Sequence, residues 1–423
     1  MKRLAPLAAL ALLCALLLAA LPGGPARAED TPIDYAAAVR LDMDSETVKA
    51  QVRVRSYIDG DTTHFYVPDG ITEGNVLSAR YLAVNTPEST GHIEEYGKKA
   101  SLYTRERLSA ATSILIESDD GQWNRDSNGT RFLVWVWYRT DESEEYRNLN
   151  IELLQEGLAK ANSSGQNRYG ETCMAAIAQA KARGLNIYSG EKDPDFYYGS
   201  AIELTLRELR CHPQQYEGKK VAFSGILTLN SNNSVYVEDY DAETGLYFGM
   251  PVYYGYNLSA GGMEILHIGN EVRIVGTVQF YEAGGEYQIS GLSYRAMKPN
   301  DPNNLQKLSE GHSPACPVTD LDTFLHGRVT VPGEETSEEF DYAQLVLAAS
   351  LTLEGLTVES AATDDSGVTL TCARDGLTVT VRTGDASGAD AVGKTIDVRG
   401  VVDLYNGEYQ IKAFSADGIA IRQ

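Results

Sequence analysis

The chain has 423 residues, with 36 Lys and Arg against 59 Asp and Glu and a formal net charge of -23. At roughly 100 to 200 residues per domain, this length excludes one ordinary core and predicts two or three domains. The acidity excludes a broad basic face for nucleic acid, which is gripped through clustered Lys and Arg, and leaves room only for a local cationic pocket.

Residues 1–28 combine a short basic start, an apolar run and the small-residue sequence Ala26-Arg27-Ala28, the pattern of a secretory signal peptide. This predicts an exported, extracellular protein. Residues 29–47 are acidic and without sustained period, and read as a linker. The stretch VKAQVRVRSYIDGDTTHFYV alternates as a strand, an Asp-Gly turn and a second strand, and VLSARYLAVNTPE as a third strand ending at a Thr-Pro turn. GKKASLYTRERLSA follows as a helix, ATSILIESD and RFLVWVWYR as strands. NLNIELLQEGLAK is expected as a helix with Ile151, Leu154 and Leu158 on one side, and ETCMAAIAQAKARG as another with Met174, Ile177 and Ala178 on its stripe, stopping at Gly184. This order predicts a five-stranded, OB-type barrel with packed helices over 48–198.

Past Asp195 the chain turns to strands separated by Gly and Asn turns. IGNEVRIVGTVQFYEAGGEYQISGLS, from Ile268, and VGKTIDVRGVVDLYNGEYQIKAFS, from Val392, match in pattern, so a domain is duplicated. The polar, proline-bearing residues 298–314 read as the linker between a domain at 199–297 and one at 315–423. Both are expected as further OB-like β-barrels, with an immunoglobulin-like sandwich as the alternative, so the whole chain is mainly β with an α+β first domain. No run after the start approaches the roughly 20 apolar residues of a membrane helix. Cys173, Cys211, Cys316 and Cys372 are spaced too widely for a zinc motif and allow two disulfides or free thiols. The six histidines, His64, His92, His212, His267, His312 and His326, have no metal-ligand spacing.

The chemistry concentrates in YIDGDT, SARYLAVNTPE, EYGKKA and DSNGTRFLVWVW, which hold Asp61, Arg80, Asn85, Thr86, Glu88 and Arg131. Through these four motifs, in order, and through GLAK at 157–160 and AKARGLNIYS at 180–189, residues 48–190 resemble the staphylococcal nuclease, or thermonuclease, family. The resemblance implies a Ca2+-dependent phosphodiesterase acting on DNA and RNA. It implies that Asp61, the Asn85 side chain and the Thr86 carbonyl ligate the metal, that Glu88 orients or deprotonates the attacking water, and that Arg80 and Arg131 grip the phosphate. Such a set suits an anionic phosphodiester, which needs a hard cation on oxygen ligands, planar donors and a carboxylate base. Asn85 stands where the family has aspartate, predicting weaker calcium binding; the alternatives are a catalytically inactive nuclease-fold nucleic-acid-binding protein and, from the strong acidity and the tyrosine clusters, an envelope glycan-binding protein. The turn before Arg131 is one residue longer than the family's, so alignment on the turn would place Thr130 in the slot; strand register favours Arg131. The family's nucleotide-stacking tyrosines are missing, with Ser163 and Gly165 in their region and Tyr169 or Trp123 as candidate substitutes. Tyr236, Tyr240, Tyr247, Tyr253, Tyr254, Tyr256, Tyr281 and Tyr287 could either pack the second domain or form a stacking platform for single-stranded nucleic acid or glycan.

Overall fold

The computed structural model describes residues 31–91, 93–231, 233–256, 258–282, 284–333, 336–364, 366–414 and 418–422. The predicted signal peptide and His92 lie outside them. In the first domain, strand β1 (Lys49–Asp59) sends Ala50 and Val52 inward and Arg53 and Arg55 outward, as period-two alternation requires. It is followed by β2 (Thr62–Tyr66), β3 (Val76–Tyr81), β4 (Ala83–Asn85), β5 (Ser113–Glu117), β6 (Phe132–Arg139), β7 (Arg147–Asn148) and β8 (Lys160–Asn162). β1 pairs antiparallel with β2 and β5, β2 with β3, and β5 with β6. A parallel pairing of β3 with β6, Ala79 opposite Phe132 and Arg80 opposite Leu133, closes the barrel.

The barrel is filled by Phe65, Leu77, Tyr81, Val134 and Val136, Trp135 and Trp137 pack on the opposite face of β6, and the helices Gly97–Ser109, Leu149–Gln155 and Gly170–Arg183 cover it. The last helix ends at Gly184, at φ +62°, as predicted, but it buries Cys173, Ala176, Ile177 and Ala180 and leaves Met174 and Ala178 exposed. The middle helix is shorter than expected. Gly157, at φ +65°, turns the chain where a Cβ would sit 2.5 Å from the Leu185 carbonyl oxygen, and Lys160 leaves as part of a strand. The expected linker at 29–47 contributes structure: Ala36 is fully buried in a short helix, Tyr35–Ala38, and the Thr47 hydroxyl donates to Glu117 at 2.6 Å. Glu117 is fully buried on the last residue of β5 and also accepts from Trp137 Nε1 and the Tyr169 hydroxyl.

The second domain runs β9 (Ile202–Glu203), β10 (Lys220–Ser231), β11 (Ser234–Asp241), β12 (Leu246–Tyr253), β13 (Glu271–Tyr281), β14 (Glu286–Ser290) and β15 (Gln306–Ser309). The third runs β16 (Val318–Thr319), β17 (Arg328–Val331), β18 (Glu338–Asp341), β19 (Ser350–Asp364), β20 (Gly367–Arg374), β21 (Leu377–Thr383), β22 (Thr395–Tyr405), β23 (Glu408–Ala413) and β24 (Ile419–Ile421). The repeated sequences form the matching hairpins β13–β14 and β22–β23. In both domains the first long strand pairs with the fourth, β10 with β13 and β19 with β22, and the third pairs parallel with the fifth, β12 with β14 and β21 with β23. This is the closure of the first barrel again, so all three are OB-type barrels and the sandwich alternative is excluded. The expected linker at 298–314 adds an edge strand, because β15 pairs with β13 and Leu305 enters the second core.

The barrels are joined by polar contacts. Between the second and third, Glu238 accepts from the Ala315 and Ser350 amides and the Ser350 hydroxyl. Asp403, 4% exposed, accepts from the Tyr236 hydroxyl at 3.1 Å, Lys412 Nζ at 3.0 Å and Gln410 Nε2 at 2.7 Å. Nearby, buried Arg210 donates twice to the Gly249 carbonyl, and Glu286 Oε2 is sealed from solvent with no hydrogen-bond partner among the described residues. Between the first and second barrels, Gln279 Nε2 donates to the Ser89 carbonyl at 2.9 Å and Arg105 pairs with Glu282. Among the described residues no helix is long and apolar enough to cross a membrane. The four cysteines among the described residues are free thiols: Cys173, Cys211 and Cys372 each lie in a different core, where burial pushes their thiols up to about 12, 11 and 12, and Cys316 is half-buried. The expected alternative of two disulfides is therefore not realised.

Candidate active site

The site is built at the open edge of the first barrel from the β1–β2 turn, the end of β3 and the loop that follows it. Asp59-Gly60-Asp61 makes the turn, and the helix Gly97–Ser109 clamps it. Thr104 Oγ1 donates to the Gly60 carbonyl at 2.6 Å, and a Cβ on Gly60 would meet Thr86 at 2.9 Å and Ala100 at 3.0 Å. Only glycine lets the turn sit this close.

Asp61 is 1% exposed. Its Oδ2 accepts the Thr86 amide at 2.9 Å and its Oδ1 accepts Thr62 Oγ1 at 3.1 Å and Arg80 Nη1. Burial pushes the Asp61 carboxyl up, against the opposing pull of the Arg80 charge and the two neutral donors. Arg80, on β3, uses its other nitrogen, Nη2, to donate to Asn85 Oδ1. One guanidinium thus bridges the buried acid and the exposed amide.

Asn85 reaches that position because the strand breaks. Ala83 takes φ +69°, and the short β4 peels away from the barrel to pair with β8, Asn85 opposite Lys160. Thr86 is 2% exposed and its Oγ1 has no hydrogen-bond partner among the described residues. The following loop folds back on itself: Glu94 N donates to the Glu88 carbonyl at 2.9 Å and Glu88 N to Glu94 Oε2 at 3.1 Å. Gly97 opens the helix against this loop, where a Cβ would stand 2.1 Å from the Glu88 carbonyl oxygen. The Glu88 side chain is exposed at the loop's end.

Asp59 was legible only as a turn residue. In the fold its Oδ1 accepts from the Gly60 amide at 2.7 Å, the Ser89 amide at 3.2 Å and Ser89 Oγ at 2.7 Å, stitching the Glu88 loop to the turn. Burial, and then a hydrogen bond with Glu88, push its carboxyl well above the usual range. The sequence signal was its place in the Asp-Gly-Asp triplet. Lys160, set opposite Asn85 by β8, was the other residue missed as part of the site.

The structure therefore gathers Asp61, Arg80, Asn85, Thr86 and Glu88. Arg131 stands apart from this cluster. It lies one residue before β6 and two before Leu133, the partner of Arg80, so strand alternation places it on the Arg80 side of the sheet. Its Nε, however, donates to Asp126 Oδ2 at 2.8 Å in the preceding turn. Tyr169 is not a substitute stacking ring, because it packs edge-on against Trp135 and Trp137 at 5.0 and 5.6 Å in the core. Trp123 likewise packs against the core.

Could these residues hold a cation? The expected ligands offer oxygen only, the donor type of a hard ion such as calcium. Asp61 and Asn85 already converge on one positive group, the Arg80 guanidinium. Among the described residues no three Asp, Glu, His or Cys side chains form a cage of their own, so a cation would rest on mixed carboxylate, amide and carbonyl oxygens. The set fits.

Residues 78–190 match the family described as Staphylococcal nuclease homologue. Over these residues the chain is similar to staphylococcal nuclease. The match covers Arg80, Asn85, Thr86, Glu88, Arg131 and Lys160, whereas Asp59 and Asp61 lie before it at the turn between β1 and β2, two strands of the same barrel. The nuclease-fold domain thus extends from the short helix at Tyr35 to the 3₁₀ turn at Tyr188.

Proposed function

We propose that the protein is an exported, calcium-dependent phosphodiesterase that hydrolyses DNA or RNA. The observation that carries this reading is the Arg80 bridge between buried Asp61 and exposed Asn85, with Glu88 at the end of the adjoining loop. The nuclease-family match supports nucleic acid as substrate, and the signal-peptide pattern of residues 1–28 supports export.

Each step falls to a named group. Arg80 offers planar donors to the non-bridging oxygens of the scissile phosphate and offsets the charge that builds as water attacks. Glu88 takes the proton of the attacking water, beside Asp59, whose carboxyl is raised first by burial and then by a hydrogen bond with Glu88. Arg131 supplies a second guanidinium once phosphate competes it from Asp126. Calcium, held by Asp61, Asn85 and the Thr86 carbonyl, would add a fixed positive charge against the phosphate oxygens.

A second reading is a nuclease-fold protein that binds nucleic acid without cutting it. It is favoured by the engagement of Arg80, two of whose five N–H donors already go to Asp61 and Asn85. The test is incubation of the mature protein with single-stranded DNA, double-stranded DNA and RNA across a calcium titration, beside Glu88→Gln and Arg80→Ala. Calcium-requiring cleavage that both variants lose by about 10²- to 10³-fold supports the enzyme. Retained binding with no cleavage at any calcium level replaces it with the second reading.

A further inference from the structure

On the outer face of the same barrel, a cleft of about 300 Å³ opens between Arg55 of β1, His64 of β2, Ser78 of β3 and the turn carrying Arg125 and Thr130. In a chain of net charge -23, two arginines on one cleft are out of keeping with the rest of the surface. Arg55 has no hydrogen-bond or ion-pair partner among the described residues. Arg125 is held without an acid, stacked over Phe132 at 4.2 Å and donating to the Gly129 carbonyl at 3.0 Å. Burial first, and the Arg55 charge second, push the His64 imidazole below its usual range. The one acid lining the cleft is Glu73, which leaves it net positive. Neutral donors are present too, in the hydroxyls of Ser78 and Thr130.

The position matters as much as the charge. Ser78 and Arg80 are two residues apart on β3 and therefore on the same face, separated by about 7 Å at the usual strand rise. His64 pairs with Ser78 just as Thr62, beside Asp61, pairs with Arg80. The cleft is thus one strand step from the candidate reaction centre, a spacing comparable to that of neighbouring phosphates in an extended strand.

We infer that the Arg55, His64 and Arg125 cleft is a subsite for the phosphate next to the scissile one in a single-stranded nucleic acid lying along β3. The inference deepens the proposed function and rests on it for the direction of the strand. The subsite replaces, by charge and hydroxyl donors, part of the hold that absent stacking tyrosines would give. It also gives the acidic protein a local foothold on a polyanion.

The test uses the full mature chain and an Arg55→Ala, Arg125→Ala double variant; both side chains are exposed, and thermal melting checks that the fold is kept. Binding of a labelled single-stranded octanucleotide in chelator is followed by fluorescence anisotropy over a salt series, and calcium-dependent hydrolysis of the octanucleotide is compared with that of a dinucleotide. The variant is expected to bind about tenfold or more weakly, with the slope of log K against log salt reduced by about 1 to 2. Its KM for the octanucleotide rises while its dinucleotide hydrolysis is unchanged. Equal binding and equal salt slope in the two proteins, absence of binding by the wild type, or equal loss on both substrates would overturn the subsite. If the wild type binds in this manner but cleaves nothing, the phosphodiesterase reading fails while the anisotropy result still decides the subsite.

Discussion

Glu286 at the junction of the second and third barrels gives a quantitative test of the fold. Its Oε2 is buried with no hydrogen-bond partner among the described residues, and burial raises the carboxyl from 4.5 to about 7, with Asp403 adding to the rise and Arg210 and Lys412 opposing it. The folded state therefore holds a proton that the unfolded chain has released. The stabilisation tied to that proton is complete below pH 4.5, declines as pH rises, and is gone above about 7. At about 1.4 kcal/mol for each tenfold change in proton affinity, the whole span is worth about 3 kcal/mol as an upper value. Glu286→Gln cannot ionise, so it removes this dependence, leaving at most a constant cost for its amide. Trp123, Trp135 and Trp137 all lie in the first barrel, so tryptophan fluorescence reports the wrong domain. Native-state hydrogen exchange, read by mass spectrometry on peptides from β14 and β22, compares variant and wild type at the same pH so that intrinsic rates cancel. The variant's opening free energy is expected to gain on the wild type by about 2.5 kcal/mol between pH 5 and 8. A difference that stays flat over that range would refute the reasoning.

Asn85→Asp adds a charge beside Asp61 and should lower the half-activating calcium concentration by about tenfold or more, since a charge pair at about 4 Å exceeds 1.4 kcal/mol at a surface-like dielectric; an unchanged calcium titration would remove Asn85 from the ligand set. Gly97→Ala would put a Cβ 2.1 Å from the Glu88 carbonyl oxygen and force it aside, so activity should fall well over tenfold with about 1 to 3 kcal/mol lost in urea unfolding. Full activity in that variant would show that the loop is not rigidly placed. Tyr236→Phe takes one donor from buried Asp403 and one acceptor from Lys412, and should destabilise the second and third barrels by about 1 to 3 kcal/mol by hydrogen exchange while leaving nuclease activity intact.

The strands were legible wherever one face is core and the other solvent, as in β1, where Val52 and Arg53 alternate. The duplicated hairpins were legible because the same Gly-Glu-Tyr-Gln-Ile run must make the same turn and the same parallel pairing. What stayed hidden depends on distant partners. β15 is an edge strand that buries little, so Gln306 and Lys307 look like linker. The middle helix stops because Leu185, 28 positions beyond Gly157, occupies the space a side chain would need. In the site, Asp61, Arg80 and Glu88 announced themselves by motif. Asp59 did not, because its role comes from Ser89 arriving 30 residues later. The stripe on the helix Gly170–Arg183 was misread by about one position because alanines fill most of it and Met174 is the largest apolar side chain outside it.

The Gln279–Ser89 hydrogen bond and the Arg105–Glu282 ion pair make the second barrel a buttress for the very loop that carries Glu88. The domain boundaries drawn from sequence invite a cut near residue 198, and such a cut would expose the Ser89 carbonyl and strip Arg105 of its acid. An excised first domain would keep every residue of the candidate site yet hold one of its loops less firmly. For this chain, modularity in sequence is not modularity in mechanics, and a weakly active fragment would say more about the missing brace than about the chemistry.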